Sequence, residues 1–172
     1  EVISAEFKKA GSTVVLIEAP RTSAFLPDLK VIREQLQSIH ALIKSGKILS
    51  ATAVRHGGVG HALARMIFGN GIGVALINAP ASDFFVPCYG SMLLEVNAIS
   101  DLGNLPHRVL GKTTVAAEIS WPRAAISVEK MIAAHEGVLE SVFPTRATEP
   151  EETPSKTNPI NSTRLPFVAS NL

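Results

Sequence analysis

The sequence is short of the residues that build disulfide-stapled, membrane-spanning or nucleic-acid-binding proteins. One cysteine, Cys88, among 172 residues excludes an internal disulfide framework and fits a reducing, cytoplasmic setting. No apolar run approaches the roughly 20 residues that cross a bilayer, so no membrane partner is expected. No signal-peptide pattern opens the chain, and Glu1 in place of Met reads as the start of an excised fragment. Charge of one sign is also missing. Sixteen basic and fifteen acidic side chains are interspersed and leave a net +1, without the concentrated basic face that nucleic acids require. What the chain does have is hydrophobic content, 46% over 172 residues, enough for the core of one domain.

The most informative stretch runs from Ile48 to Phe68. Its first part is apolar and short, as in a buried strand. Its last part places Val59, Ala62, Leu63, Met66 and Ile67 at helical spacing. Between them lies Arg55-His56-Gly57-Gly58, a tight strand-to-helix turn. Glycines there permit positive φ and a close backbone approach, and the first-turn N–H groups of the next helix would face a ligand in front of it. Arg55, His56, Gly57 and Gly58 are therefore candidate phosphate- or nucleotide-binding residues. Paired glycines also make ordinary strand-to-helix connections, and both readings stand at this point.

Around that stretch the pattern is regular. Thr13-Val14-Val15-Leu16-Ile17-Glu18 reads as a central strand. A helix is predicted from about Pro27, with Asp28 at the positive end of its dipole. Leu29, Ile32, Leu36, Ile39 and Ile43 form its apolar stripe, and Gly46 follows its end. Gly69-Asn70-Gly71-Ile72-Gly73 follows a helix instead of opening one, and reads as a C-cap and turn. Val74–Ile77 and Ser91–Val96 are further strands, separated by a Pro80–Pro87 loop carrying Phe84 and Phe85. Leu105–Glu118 holds one or two short strands broken at Gly111. A last helix starts at Ile126-Ser127, with Val128, Met131, Ile132, His135, Val138, Leu139 and Val142 on one face. His135 then reads as a core residue and Cys88 as a small buried filler. Beyond Phe143, prolines recur among Thr, Ser, Asn and Glu, the composition of a linker or tail. Strands this closely spaced after Gly73 leave no room for a helix in every crossover. The expected fold is α+β, a mixed and mostly antiparallel sheet with helices packed mainly on one face.

Four stretches resemble the C-terminal-type domain of the aminoimidazole ribonucleotide synthetase superfamily, in the branch of large phosphoribosylformylglycinamidine synthases and their second such domain. They are Ala5–Ser12 with the strand after it, Lys47–Phe68, Tyr89–Val96, and Leu110-Gly111-Lys112-Thr113. A fifth stretch is the strongest match: His135-Glu136-Gly137-Val138-Leu139-Glu140-Ser141-Val142-Phe143-Pro144-Thr145-Arg146, similar to the segment that closes the domain before the glutaminase linker. The resemblance covers 1–146 as one domain and leaves 147–172 as a Pro-rich linker or tail.

The resemblance implies a part in purine biosynthesis: formylglycinamide ribonucleotide is converted to its amidine with ATP and glutamine-derived ammonia. In that chemistry the amide oxygen is phosphorylated and ammonia displaces it, with magnesium and positive dipoles offsetting phosphate charge. It also implies N-terminal-type and glutaminase domains as partners, and a homodimer is a further option for the fragment. The family's His-Asp-x-Ser-Asp-Gly-Gly turn falls on Thr52 to Gly58. Its magnesium-binding acid falls on Ala53, its histidine on Thr52, its serine on Arg55 and its second acid on His56. Only Gly57 and Gly58 are kept. A hard divalent cation needs oxygen ligands, which Ala53 lacks, so no metal ligand, catalytic residue or bound cofactor is expected here. Two functions follow as expectations: a largely architectural synthase domain with a degenerate site, or a phosphate-binding module using Arg55, His56 and the glycines. An independent enzyme built on Cys88 has no evident Cys–His pairing.

Overall fold

A computed structural model describes residues 2–24, 26–140 and 142–144, and strand β1, Thr13–Ile17, runs through its middle, buried at every position. Such a β-branched run suits a strand with neighbours on both edges and a layer on both faces. The other strands are β2 (Ile48–Ala53), β3 (Gly73–Leu76), β4 (Met92–Val96), β5 (Arg108–Thr114), β6 (Glu118–Trp121) and β7 (Ala124–Ser127). They form a seven-stranded sheet in the order β2-β4-β1-β5-β3-β6-β7. Among the described residues, only β3 and β6 run parallel; the remaining pairs are antiparallel. The fold is α+β, as the close spacing of the late strands requires.

Among the described residues, three α-helices cover this sheet: α1 (Leu29–Lys44), α2 (Gly58–Phe68) and α3 (Val128–Glu136). Alternation along β1 divides the core between its two faces. Val14 and Leu16 pack with Leu63, Met66 and Ile67 of α2, and with Val128, Met131 and Ile132 of α3. Val15 and Ile17 pack with Ile39 of α1 and with Leu94 and Val96 of β4. Two helices thus share one face, and α1 takes the other.

Helix α1 begins at Leu29, two residues after Pro27. Asp28 is its N-cap and accepts hydrogen bonds from the Lys30 and Val31 N–H groups, satisfying two orphan donors of the first turn. It ends in a Schellman motif, with Gly46 N–H bonded to Ile43 O at 3.0 Å and Lys47 N–H to Leu42 O at 3.0 Å. Its buried stripe is rotated from the predicted one. Ile32 and Ile39 are buried, but Leu29 and Leu36 are exposed. Buried Gln35 takes their place, donating to Glu18 O at 3.2 Å, a polar position that apolar periodicity cannot detect.

Three predicted details are corrected. Strand β5 runs unbroken through Gly111, where a Cβ would meet Ala75 O at 2.0 Å; this glycine admits β3 instead of breaking β5. Ile126 lies in a hairpin strand, β7, joined to β6 through Pro122 and Arg123. Ser127 is the N-cap of α3 but makes no side-chain capping bond, and the helix stops at Glu136, short of Val138, Leu139 and Val142. Contacts divide the chain into Glu1–Val138 and Leu139–Leu172. In the second unit, Val142 and Phe143 N–H groups bond Leu139 O. The expected linker over 147–172 lies outside the described residues.

The opening segment is fastened by a buried acid. Glu95 of β4 is 0% exposed. Its carboxylate accepts from Lys8 N–H at 2.8 Å, Lys9 N–H at 3.2 Å and Ser50 Oγ at 2.8 Å. Adjacent Phe7, also 0% exposed, donates its N–H to Met66 O at 2.9 Å near the end of α2. Removing the carboxylate strands the buried Ser50 hydroxyl, at about 1–3 kcal/mol, and releases two part-buried N–H groups that water can reach. Glu95→Ala is therefore expected to lower unfolding free energy by about 2 kcal/mol, read as a reduced urea midpoint at unchanged slope.

Candidate functional site

Edge strand β2 delivers the candidate turn. Val54, buried, donates to Ser91 O at 2.9 Å, and the chain then leaves the sheet at exposed Arg55 and His56. Gly57 follows as the left-handed N-cap of α2, φ 84°, and Gly58 also has positive φ, 64°. The turn closes on itself: Gly58 N–H bonds Arg55 O at 3.0 Å and His61 N–H bonds Gly57 O at 3.2 Å. The structure thus brings Arg55, His56, Gly57 and Gly58 together at one bend.

What approaches the second glycine is the protein's own backbone. A Cβ on Gly58 would meet Phe84 O at 2.6 Å and Val86 O at 2.8 Å. These atoms belong to a 3-10 turn, Ser82–Phe85, and the residue after it. Two residues onward, a Cβ on Gly60 would strike the Phe85 ring at 2.6 Å. The predicted Pro80–Pro87 loop is therefore folded onto the start of α2, with Phe84 half-buried against the core and Phe85 61% exposed. Carbonyl oxygens from this turn sit where the helix dipole is positive. Close backbone approach is satisfied internally.

Two hollows flank the bend. A small one of about 270 Å³ is lined by Thr52, Ala53, Arg55, His56, His61, Ala62 and Arg65. Its lining has two guanidinium groups and no carboxylate. A larger one, about 570 Å³, lies between α2, α3, the β6–β7 hairpin and the Ser82–Phe85 turn, with Phe68, Ile119, Trp121 and Met131 among its walls. His56, Gly57 and His61 reach its edge.

Histidine placement differs from expectation. His135 is exposed instead of a core residue, because α3 ends one residue later and presents it at the rim. Its ring lies 5.9 Å from that of His61 and 5.7 Å from Phe68, centroid to centroid. His61 was not singled out by sequence. The spacing of Gly57, Gly60, His61, Ala64 and Phe68 along one helical face carried the signal. Its Nδ1 lies 3.0 Å from His56 O, so the protonated nitrogen donates there. Cys88 is half-buried, with Sγ 2.9 Å from Ser91 Oγ.

The turn does not fit a magnesium-bound nucleotide. The hollow at the turn has Ala53 and His56 in its lining and offers no oxygen anion to a hard cation. Among the described residues, no group of three or more His, Cys, Asp or Glu could hold a metal ion. No described helix is long and apolar enough to cross a membrane.

No family model and no curated protein matches the chain by sequence. Solved structures do match its fold. Thermotoga maritima PurL complexed with ATP superposes with TM-score 0.61 at 12% identity, over 90% of this chain and 30% of that one. The PurLQS structure from Thermotoga maritima matches with TM-score 0.60 at 10% identity, over 74% of this chain and 27% of that one. Escherichia coli HypE, a hydrogenase maturation protein, matches with TM-score 0.53 at 14% identity, over 70% and 48%. The chain therefore spans about 30% of the PurL chain's length, and its fold is the one these aminoimidazole ribonucleotide synthetase-related proteins share.

Proposed function

We propose that this chain is a domain of a phosphoribosylformylglycinamidine synthase whose local site is degenerate and whose role is largely architectural. The observation that carries this reading is the β2–α2 bend. It keeps the family's two glycines, but those glycines accommodate residues 84–86 of the same chain, and the acids of the family motif are replaced by Ala53 and His56. A bend of this kind preserves the fold and discards the metal chemistry. The partners on this reading are the N-terminal-type and glutaminase domains of the parent synthase, and its setting is cytoplasmic. ATP and magnesium belong to the parent enzyme's reaction and have no ligand set in this segment.

One observation favours a second reading, a retained phosphate- or nucleotide-binding module using Arg55, His56, Gly57 and Gly58. Arg55 and Arg65 face one hollow, and among the described residues the ion pairs are Lys8–Glu6 and Arg108–Glu18. Guanidinium groups without acid partners bind phosphate without a metal. Thermal-shift titration with ATP, with and without magnesium, separates the two. A ligand at about 100 times its Kd stabilises the folded state by about 2.7 kcal/mol, several degrees for a protein of this size. The architectural reading predicts no shift at millimolar ATP in either condition. A saturable shift independent of magnesium would establish the second reading.

The architectural reading also predicts that this chain, supplied with formylglycinamide ribonucleotide, ammonia and ATP, forms no amidine. Chromatographic detection of product above the enzyme-free rate would contradict it.

A further inference from the structure

The larger hollow has a composition the architectural reading does not use. Its volume, about 570 Å³, lies within the usual range of roughly 300–1,000 Å³ for small-molecule sites. Aromatic and aliphatic side chains, Phe68, Phe85, Ile119, Trp121 and Met131, supply most of its wall. The smaller hollow, about 270 Å³, adds Arg55 and Arg65. His56 and His61 line both, so an apolar chamber and a cationic one share a two-histidine edge. Neither lining contains an Asp or Glu. Arg65 follows His61 by one helical turn on α2, which sets the guanidinium beside that edge.

From this juxtaposition we propose that the two hollows together bind an amphiphilic organic anion, an apolar body carrying a single carboxylate or sulfonate. The body would fill the cleft between α2, α3 and the β6–β7 hairpin, removing apolar surface from water on both sides. The acid group would lie over the shared edge, where Arg55 and Arg65 offer bidentate, charge-assisted hydrogen bonds. With Nδ1 of His61 donating to His56 O, its Nε2 is the ring's remaining polar atom. This chemistry does not depend on kinship with any synthase.

The protein carries its own reporter, since Trp121 is its single tryptophan and lines the cleft. The probe is 8-anilinonaphthalene-1-sulfonate, which brightens on entering an apolar site and accepts energy from tryptophan. One equivalent should bind saturably and quench Trp121. Decanoate should displace it at concentrations about tenfold lower than 1-decanol, and Arg55→Gln with Arg65→Gln should abolish that preference while leaving the circular dichroism spectrum unchanged. Ala64→Phe from α2 and Ala134→Phe from α3 fill the cleft from opposite sides. At least one variant with wild-type melting behaviour should bind the probe about tenfold more weakly. Equal displacement by acid and alcohol, or undiminished probe binding in both folded variants, would overturn the proposal.

Discussion

The contact on which the functional half of this structure depends is between two pieces of backbone. Residues 84–86 lie against Gly58 so closely that their carbonyl groups occupy the space of any side chain there. This requires a residue without Cβ, and the positive φ of Gly57 and Gly58 requires the same. It also fixes the start of α2, and with it the apolar face that Leu63, Met66 and Ile67 press onto β1. Here the second glycine of the pair accommodates the chain's own backbone.

Charge tells a consistent story. In a magnesium–nucleotide site, acids hold the cation and the cation holds the phosphates. At this bend the acids are absent, and Arg55, His56, His61 and Arg65 remain. A cationic rim without carboxylates repels a metal ion and attracts an anion directly. The adjacent chamber is apolar, which restricts that anion to one with little charge away from its head. The absence of carboxylates that disfavours a metal ion at this bend is the same feature that leaves its guanidinium groups open to an anion.

Much of this was legible in the order of residues. The β-branched run at Thr13–Ile17 and the strand-turn-helix over Ile48–Phe68 each state a period and a punctuation mark, and both formed as read. What was illegible involved partners distant in sequence. Gln35 replaces an apolar residue because Glu18 O needs a donor. Gly111 looked like a break because its partner, the Ala75 carbonyl, lies in another strand. The β6–β7 hairpin was missed because Ala124-Ala125-Ile126-Ser127 is a weakly apolar edge, exposed over most of its length. His135 was misplaced because α3 ends at Glu136, although apolar periodicity continues to Val142. At the bend, sequence located the four residues. It could not show that residues 84–86 would fold onto them, which is what distinguishes a ligand loop from a packing joint.

The Phe84 and Val86 carbonyl groups press on Gly58 from within the same chain, and the hollow beside the bend has no carboxylate in its lining. The decisive measurement is a crystal structure grown with ATP and magnesium. Those carbonyl groups should remain seated against Gly58, with no cation coordinated by residues 52–58. A magnesium-chelated nucleotide lodged between that bend and a displaced 84–86 segment would refute a closed, metal-free bend.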